Sequence, residues 1–320
     1  MKIPVLILTG FLGAGKTTVL KKILAAESYG DSAVLINEFG EVGIDQQLVE
    51  PVSPNVVLLD SGCICCQIRG ELKETLASLL DRRAQGLLPP FRRIIIETTG
   101  LAEPTPIIAT LQADPMLCHQ LAAERTVTVV DAVNGDAMRG NPVWLQQVSA
   151  ADIILISKSD LAPARAEALA ASLRALLPGI TILRHGLDDS LPDFSALPVP
   201  AFRAKSAAPQ GVMPDVHSLA LTLDEPLDWI AFSVWLSALL HVHGTAILRI
   251  KGILDIGEDY PVLINGVQHM IYPPQHLGEW PAGKRQSQLV IISQGIAADT
   301  MEKSFRYHVV GAAPDGRPAE

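Results

Sequence analysis

Residues 10 to 18, Gly10-Phe11-Leu12-Gly13-Ala14-Gly15-Lys16-Thr17-Thr18, constrain the first half of this chain more than any other stretch. The apolar run Ile3 to Leu8 stops just before them, and a helix-like stretch, Val19 to Ala26, follows. The spacing Gly10-x-x-x-x-Gly15-Lys16-Thr17 is that of a phosphate-binding loop. Glycines let the backbone curl until several N–H groups converge on one anion, and the positive end of the next helix adds to the field. On this spacing Lys16 reaches the β- and γ-phosphates of a nucleotide and the Thr17 hydroxyl ligates Mg²⁺. Gly10, Gly13, Ala14, Gly15 and Thr18 complete the expected phosphate contacts.

The loop demands a buried strand before it and a helix after it, and the chain goes on in that rhythm. Ser32 to Asn37, Val56 to Leu59, Arg92 to Glu97, Thr126 to Asp131, Ile153 to Ser157 and Thr181 to Leu183 read as short strands, apolar without alternation. Helices are expected from about Lys16 to Glu27, Ile68 to Arg83 and Pro163 to Leu177. Alternating strands and helices imply right-handed crossovers. The fold class is therefore α/β: a P-loop NTPase with a mainly parallel sheet flanked by helices. Ligands of such sheets bind at the carboxyl ends of the strands.

With 320 residues the chain is long for one core and suits two domains. The reading places the nucleotide domain at 1–188, a proline-punctuated linker at 189–215, a smaller α+β domain at 216–310 and a disordered tail at 311–320. In the second domain a strand His217 to Leu223 precedes a helix beginning at Asp224-Glu225-Pro226. Trp229, Ile230, Phe232, Val234, Trp235, Leu236, Leu239 and Leu240 fill that helix's apolar side. Thr245 to Leu254, Pro261 to Ile264, Val267 to Tyr272 and Gln288 to Ser293 follow as antiparallel strands, and Ile296 to Tyr307 closes as a helix.

A formal net charge of −9 argues against a role in holding nucleic acid. No stretch approaches the roughly 18 apolar residues of a membrane span. The expectation is a cytoplasmic protein, monomer or homodimer, with no membrane partner. Of the 4 cysteines, Cys63, Cys65 and Cys66 crowd together, and Cys118 stands alone and reads as core. That crowding points to metal or redox chemistry in a reducing compartment.

Three further constellations lie at strand ends. Glu97-Thr98-Thr99-Gly100 offers a carboxylate for Mg²⁺ and a glycine N–H for the γ-phosphate. In Ser157-Lys158-Ser159-Asp160, the Asp160 carboxylate can accept from guanine N1–H and its amino group, while the Lys158 stem lies against the base. Ser157 stands where Asn is usual, which removes an amide that braces the loop. Cys63-Ile64-Cys65-Cys66 supplies thiolates for Zn²⁺ or another soft or borderline ion. Three thiolates, or two with a carboxylate such as Glu38, leave an exchangeable position rather than a closed structural site. Thiol exchange and simple packing are the alternatives. His241 and His243 read as helix-end residues or, on the sharper alternative, as a second metal site. Arg249, Lys251 and Arg285 fit a partner or phosphate surface, or solvated strand faces.

Together Gly10 to Thr18, Asn37-Glu38-Phe39-Gly40-Glu41, Gly62 to Cys66, Glu97 to Gly100 and Ser157 to Asp160 resemble the CobW family of metal-handling GTPases. Arg249 to Leu254 and the segment from Trp280 through Arg285 to Val290 resemble that family's carboxyl-terminal domain. The resemblance implies a Zn²⁺, or sometimes Co²⁺, chaperone that hydrolyses GTP slowly and delivers metal to a client metalloprotein. It assigns Lys16, Thr17 and Glu97 to phosphate, Mg²⁺ and catalysis, with Gly100 beside them, and Lys158 and Asp160 to guanine. Cys63, Cys65 and Cys66 match the transferable-metal motif, with Glu38 as neighbour. A second reading within the family is a dedicated, GTP-timed assembly factor for one metalloenzyme, of the nitrile hydratase activator or cobalamin-synthesis type. A P-loop kinase with redox-active cysteines is a third. The His-rich stretch that many members carry is missing.

Overall fold

Val5, Leu6, Ile7 and Leu8 are all fully buried in β1 (Ile3–Thr9). A strand without polar alternation needs partners on both edges and cover on both faces. The computed structural model, which describes residues 2–37, 57–61, 68–197, 215–280 and 284–311, supplies them. After β1 come α1 (Lys16–Ala25), β2 (Ser32–Asn37), β3 (Val57–Ser61) and α2 (Ile68–Ala84). Then follow β4 (Arg93–Glu97), α3 (Thr105–Ala113), α4 (Leu117–Gln120) and β5 (Leu121–Asp131). The last elements of this half are α5 (Pro142–Ser149), β6 (Ile153–Ser157), α6 (Pro163–Leu176) and β7 (Thr181–Arg184).

The 7-stranded sheet has the order β3-β2-β4-β1-β5-β6-β7, and every pairing is parallel. β1 therefore lies between β4 and β5, where the chain winds off in opposite directions. A crevice opens there at the carboxyl ends of the strands. Leu6, Leu8, Ile95, Val127 and Leu155 of the sheet meet Val19, Leu20 and Ile23 of α1 in one core cluster. Each such side chain contributes about 1.5–3 kcal/mol on burial.

The chain divides into two units, Met1–Ala170 with Thr181–Pro198, and Ala171–Ile180 with Val199–Glu320. Residues 191–197, within the stretch read as linker, carry Phe194 into the first unit's core. The Tyr29 hydroxyl donates to Asp193 Oδ1 and accepts the Phe194 N–H, both at 3.0 Å. Burial pushes that phenol up to about 12. Residues 198–214 and 312–320 lie outside the described residues.

The sequence reading does not anticipate α3 and α5. α3 is apolar on nearly every side, with Ile107, Ile108 and Leu111 buried, so it lacks the periodicity of a surface helix. α5 carried a legible start: Pro142 follows Asn141, whose side chain accepts the N–H groups of Val143 and Trp144.

The second unit contains β8 (Val216–Leu223), α7 (Trp229–His243), β9 (Ile247–Leu254) and β10 (Val262–Val267). β11 (Met270–Ile271), β12 (Gln275–His276), β13 (Ser287–Gln294) and α8 (Ala298–Phe305) follow. The antiparallel sheet runs β11-β10-β9-β13-β8, with β12 on β10. Phe232, Trp235 and Leu236 of α7 and Met301 and Phe305 of α8 form its core with Leu221, Ile250, Leu254 and Ile291.

Several expectations are corrected here. α7 starts at Trp229, not at Pro226. Leu227 is buried and its N–H reaches Asp255 O, while the Asp224 carboxylate accepts from Gln286 and is drawn away from the helix start. Asp228 caps instead, accepting from the N–H groups of Ile230 and Ala231. Ile230 and Val234, expected in the core, are 74% and 65% exposed. β10 runs through Asn265-Gly266 and turns at Gln268, whose φ is 54°. Gly266 is kept there by closeness rather than by a turn, since a Cβ would lie 2.8 Å from the backbone oxygen of Met270. α8 starts at Ala298 rather than Ile296, and it passes at Arg306 into a wider helical turn that runs through Val310, beyond the expected end at Tyr307. Arg249 and Lys251 are buried, not a solvated strand face. Arg285 is committed to Asp255 through two hydrogen bonds. Among the described residues no helix is long and apolar enough to cross a membrane.

Candidate nucleotide site

Gly10 leaves β1 with φ 143° against the backbone of β5, where a Cβ would stand 2.3 Å from Val129 O. Gly13 and Gly15 continue the curl at φ 71° and 92°. Gly15 also precedes α1 without a side chain to cap it. The first-turn N–H groups of the helix are therefore left facing the loop, the arrangement that suits an anion. The Lys16 ammonium bridges the loop, 2.9 Å from Gly10 O and 3.4 Å from Phe11 O.

The end of β4 closes one side. Glu97, 4% exposed, accepts the Thr17 hydroxyl at 2.9 Å. These two hard oxygen groups are suited to Mg²⁺. Thr98 ties the strand ends together, its N–H on Leu8 O and its hydroxyl on Thr9 Oγ1 at 2.8 Å. Gly100 is closer still: a Cβ would be 2.7 Å from Leu12 N and 2.8 Å from Leu12 Cα. Only glycine lets the two loops touch. Behind them Gln147 of α5, with no exposed surface, donates its amide to Gly100 O at 3.1 Å and Ala102 O at 3.0 Å. Sequence reading missed Gln147, because an isolated glutamine on a short helix carries no signal.

The end of β6 closes the other side. The Ser157 hydroxyl donates to Ala14 O at 2.6 Å. A brace to the phosphate loop is thus present without the expected Asn, made by a shorter side chain. Lys158 takes a left-handed φ of 55°, and its ammonium reaches Gly13 O at 2.9 Å and Asp131 Oδ2 at 2.7 Å. Such backbone strain costs about 1–3 kcal/mol and clusters at functional sites. Burial pushes the Asp131 carboxyl up, but Lys158, the Asn134 amide and the Val133 N–H outweigh it and hold the carboxyl low. Asp160 is exposed at the rim beside Gly186. Lys16, Thr17, Glu97, Gly100, Lys158 and Asp160 thus lie at the ends of three strands, β4, β1 and β6, with Asp131 at the end of β5 between the last two.

Cys63, Cys65, Cys66 and Glu38 lie outside the described residues. The strands that lead into them are described. β2 ends at Asn37 and β3 at Ser61, and these two residues pair directly. Ile36 in turn pairs with Glu97. Neighbouring strands are about 4.8 Å apart, so three strand ends span only about 10 Å. Cys118 is a half-buried thiol, 3.6 Å from Pro115 O. His241 and His243 are exposed in the last turn of α7. Among the described residues no group of three or more His, Cys, Asp and Glu side chains is placed to hold a metal ion.

A parallel sheet with a glycine-curled loop at its central strand, a Thr–Glu pair and a lysine-braced rim defines a P-loop nucleotide-binding α/β protein. Residues 4–184 match the CobW/HypB/UreG nucleotide-binding domain, and residues 216–308 match the cobalamin synthesis protein cobW C-terminal domain. The chain belongs to the CobW/HypB/UreG family. It is 34% identical over 313 residues to zinc chaperone YjiA of Escherichia coli, covering 95% of this chain and 98% of that one. It is 35% identical over 167 residues to zinc-regulated GTPase metalloprotein activator 1 of Schizosaccharomyces pombe, covering 50% of this chain and 39% of that one. The crystal structure of Zn(II)-bound YjiA GTPase from E. coli superposes with a TM-score of 0.76 at 30% identity, over 96% of this chain and 99% of that chain.

Proposed function

We propose that this chain binds and hydrolyses GTP and uses the cycle to hold and release Zn²⁺, or Co²⁺, for a client metalloprotein. Cys63, Cys65 and Cys66 would hold the cargo ion, with Glu38 beside them. In this reading residues 1–188 carry the chemistry, and 216–310 form a separate module joined by 189–215. The observation that carries the proposal is the pairing of Asn37 with Ser61, next to Ile36 with Glu97. The segments bearing Glu38 and the cysteines leave neighbouring strand ends, on the same edge as the Thr17–Glu97 pair. The names of the zinc chaperone and GTPase relatives point the same way.

GTP hydrolysis to GDP and phosphate needs positioning and charge neutralisation more than covalent help. Lys16 would exchange the carbonyls of Gly10 and Phe11 for phosphate oxygens. Thr17 and Glu97 would hold Mg²⁺, which supplies further positive charge at the phosphates. The Gly100 N–H would meet the γ-phosphate, and Asp160 would read the guanine edge, with Lys158 along the base. A segment ordered by the γ-phosphate and released on hydrolysis would couple nucleotide to metal.

The test is Zn²⁺ affinity of the full chain with Mg²⁺ and either GDP or a non-hydrolysable GTP analogue. A difference of about tenfold or more is expected, within the usual range of coupling energies. Equal affinities would sink the coupling. A Cys65→Ala/Cys66→Ala variant should lose its bound zinc under reducing conditions; unchanged zinc content would remove the cysteines from the proposal.

A further inference from the structure

Lys22 of α1 points its ammonium into the turn that follows β7. It lies 3.0 Å from Asp189 O and 3.3 Å from Gly186 O, donates to Leu187 O, and stands 3.0 Å from His185 Nε2. Lysine ordinarily keeps its charged end in water. Here one short stretch of chain, 185–189, wraps it with carbonyls and an imidazole. The ammonium has three donors for these four acceptors, so one of them is shared, and Nε2 can take part only as an acceptor, in the tautomer that carries its proton on Nδ1. Burial and the nearby Lys22 charge both hold His185 below its ordinary value, against the opposing pull of Asp189 and Asp160.

The wrapped turn is pressed against Asp160. A Cβ on Gly186 would lie 3.1 Å from Asp160 Cβ and 3.3 Å from its Cγ. The Gly186 N–H donates to Asp189 Oδ2 at 2.6 Å. The Ser159 N–H donates to His185 O at 3.3 Å, and the His185 N–H to Ile156 O at 2.8 Å. The 157–160 and 185–189 segments are thus one bonded corner with Lys22 at its centre.

We propose that Lys22 is a positioning residue for nucleobase recognition. By gathering the carbonyls of Gly186, Leu187 and Asp189 it fixes Gly186 against Asp160 and keeps that carboxylate turned toward the base. The ligand class is a purine with donors at N1 and the 2-amino group. The inference rests on the reading of Asp160 given under Proposed function.

Inosine triphosphate keeps N1–H and lacks the 2-amino group, so the GTP:ITP affinity ratio reports one hydrogen bond to Asp160. Both affinities are measured on the full chain with Mg²⁺, for the unaltered protein, Asp160→Asn, Lys22→Met and the milder Lys22→Gln. The unaltered protein should favour GTP by about 10- to 100-fold, the range of one hydrogen bond to a charged group. Lys22→Met should reduce the ratio by about fivefold or more, and Lys22→Gln by less, because its amide still donates to a carbonyl. A merely structural role would weaken both nucleotides in parallel and leave the ratio unchanged, which overturns the proposal. If Lys22→Met does not fold, the ratio in Lys22→Gln decides in the same way. An unaltered ratio in Asp160→Asn overturns the base assignment itself. Loss of the ratio in Asp160→Asn with full retention in the Lys22 variants overturns only the role of Lys22.

Discussion

Asp131 and Asp255 each sit at a strand end and each hold one long cation, yet the two pairs are built differently. Asp131 meets Lys158 through one oxygen at 2.7 Å, and the same ammonium also serves Gly13 O in the phosphate loop. Asp255 meets the Arg285 guanidinium through both oxygens, at 2.6 and 2.9 Å, and accepts the Gly257 N–H as well. The Trp280 ring lies 5.9 Å from that guanidinium. An ammonium is a point charge that can re-aim its three donors, whereas the planar fork is fixed once paired. The re-aimable pair lies beside the nucleotide corner and the fixed one closes a turn of the antiparallel sheet. The same charges can therefore serve adjustment in one unit and rigidity in the other.

Asp255→Ala tests the rigid pair most severely. It removes both guanidinium bonds and the Gly257 contact, and should cost about 2–4 kcal/mol of stability in urea unfolding. GTP affinity should shift by less than about twofold, as for a site without shared partners. Lys158→Met should act on binding first: GTP affinity weaker by about 10- to 100-fold in titration, with a smaller stability loss of about 1–2 kcal/mol because the buried Asp131 carboxylate keeps only the Val133 N–H and the Asn134 amide. If both variants lose stability alike and bind alike, the contrast between the pairs is wrong. Ser157→Ala comes next. It leaves Ala14 O without its 2.6 Å donor, so a loss of about 1 kcal/mol and a few-fold weaker nucleotide binding are expected.

The smallest contrast lies in acid. Arg285, as the main cause, holds the Asp255 carboxyl below 3.8, and Asp131 is also held below 3.8. Each therefore contributes stability that is complete above about 3.8 and lost as pH falls through its lowered folded value. Circular dichroism on acidification should show the Asp255→Ala protein losing less stability below pH 3.8 than the unaltered protein. A steeper loss in the variant would contradict the sign.

Much of the first unit was legible because its signals are local. β1, β2 and β6 fall where the apolar runs place them, since a strand buried on both faces needs no alternating pattern. The loop glycines, Lys16 and Thr17 are read from spacing and Glu97 from its place at a strand end, and the structure sets the Thr17 hydroxyl 2.9 Å from the Glu97 carboxylate. α3 was hidden by the same uniform apolarity that made the strands visible. The start of α7 was misread because Asp224-Glu225-Pro226 is a sound helix opening by itself. Only the pull of Asp255 O on Leu227 and of Gln286 on Asp224 moves the start to Asp228-Trp229.

By itself the sequence determined which residue types stand at the ends of which strands, because hydrophobic runs, glycine spacing and helix starts act over a few residues. The tertiary structure decided which ends are neighbours. The strand order sets Asn37 beside Ser61 and Ile36 beside Glu97, though intervening chain separates them. It let Ser157 supply a brace across 143 residues to Ala14, and set Lys22 in a turn 163 to 167 residues away. Hydrogen bonds of that range depend on sheet order and on distances of a few tenths of an ångström. No local pattern encodes either, so a serine read as a departure became a working contact once β6 lay beside β5.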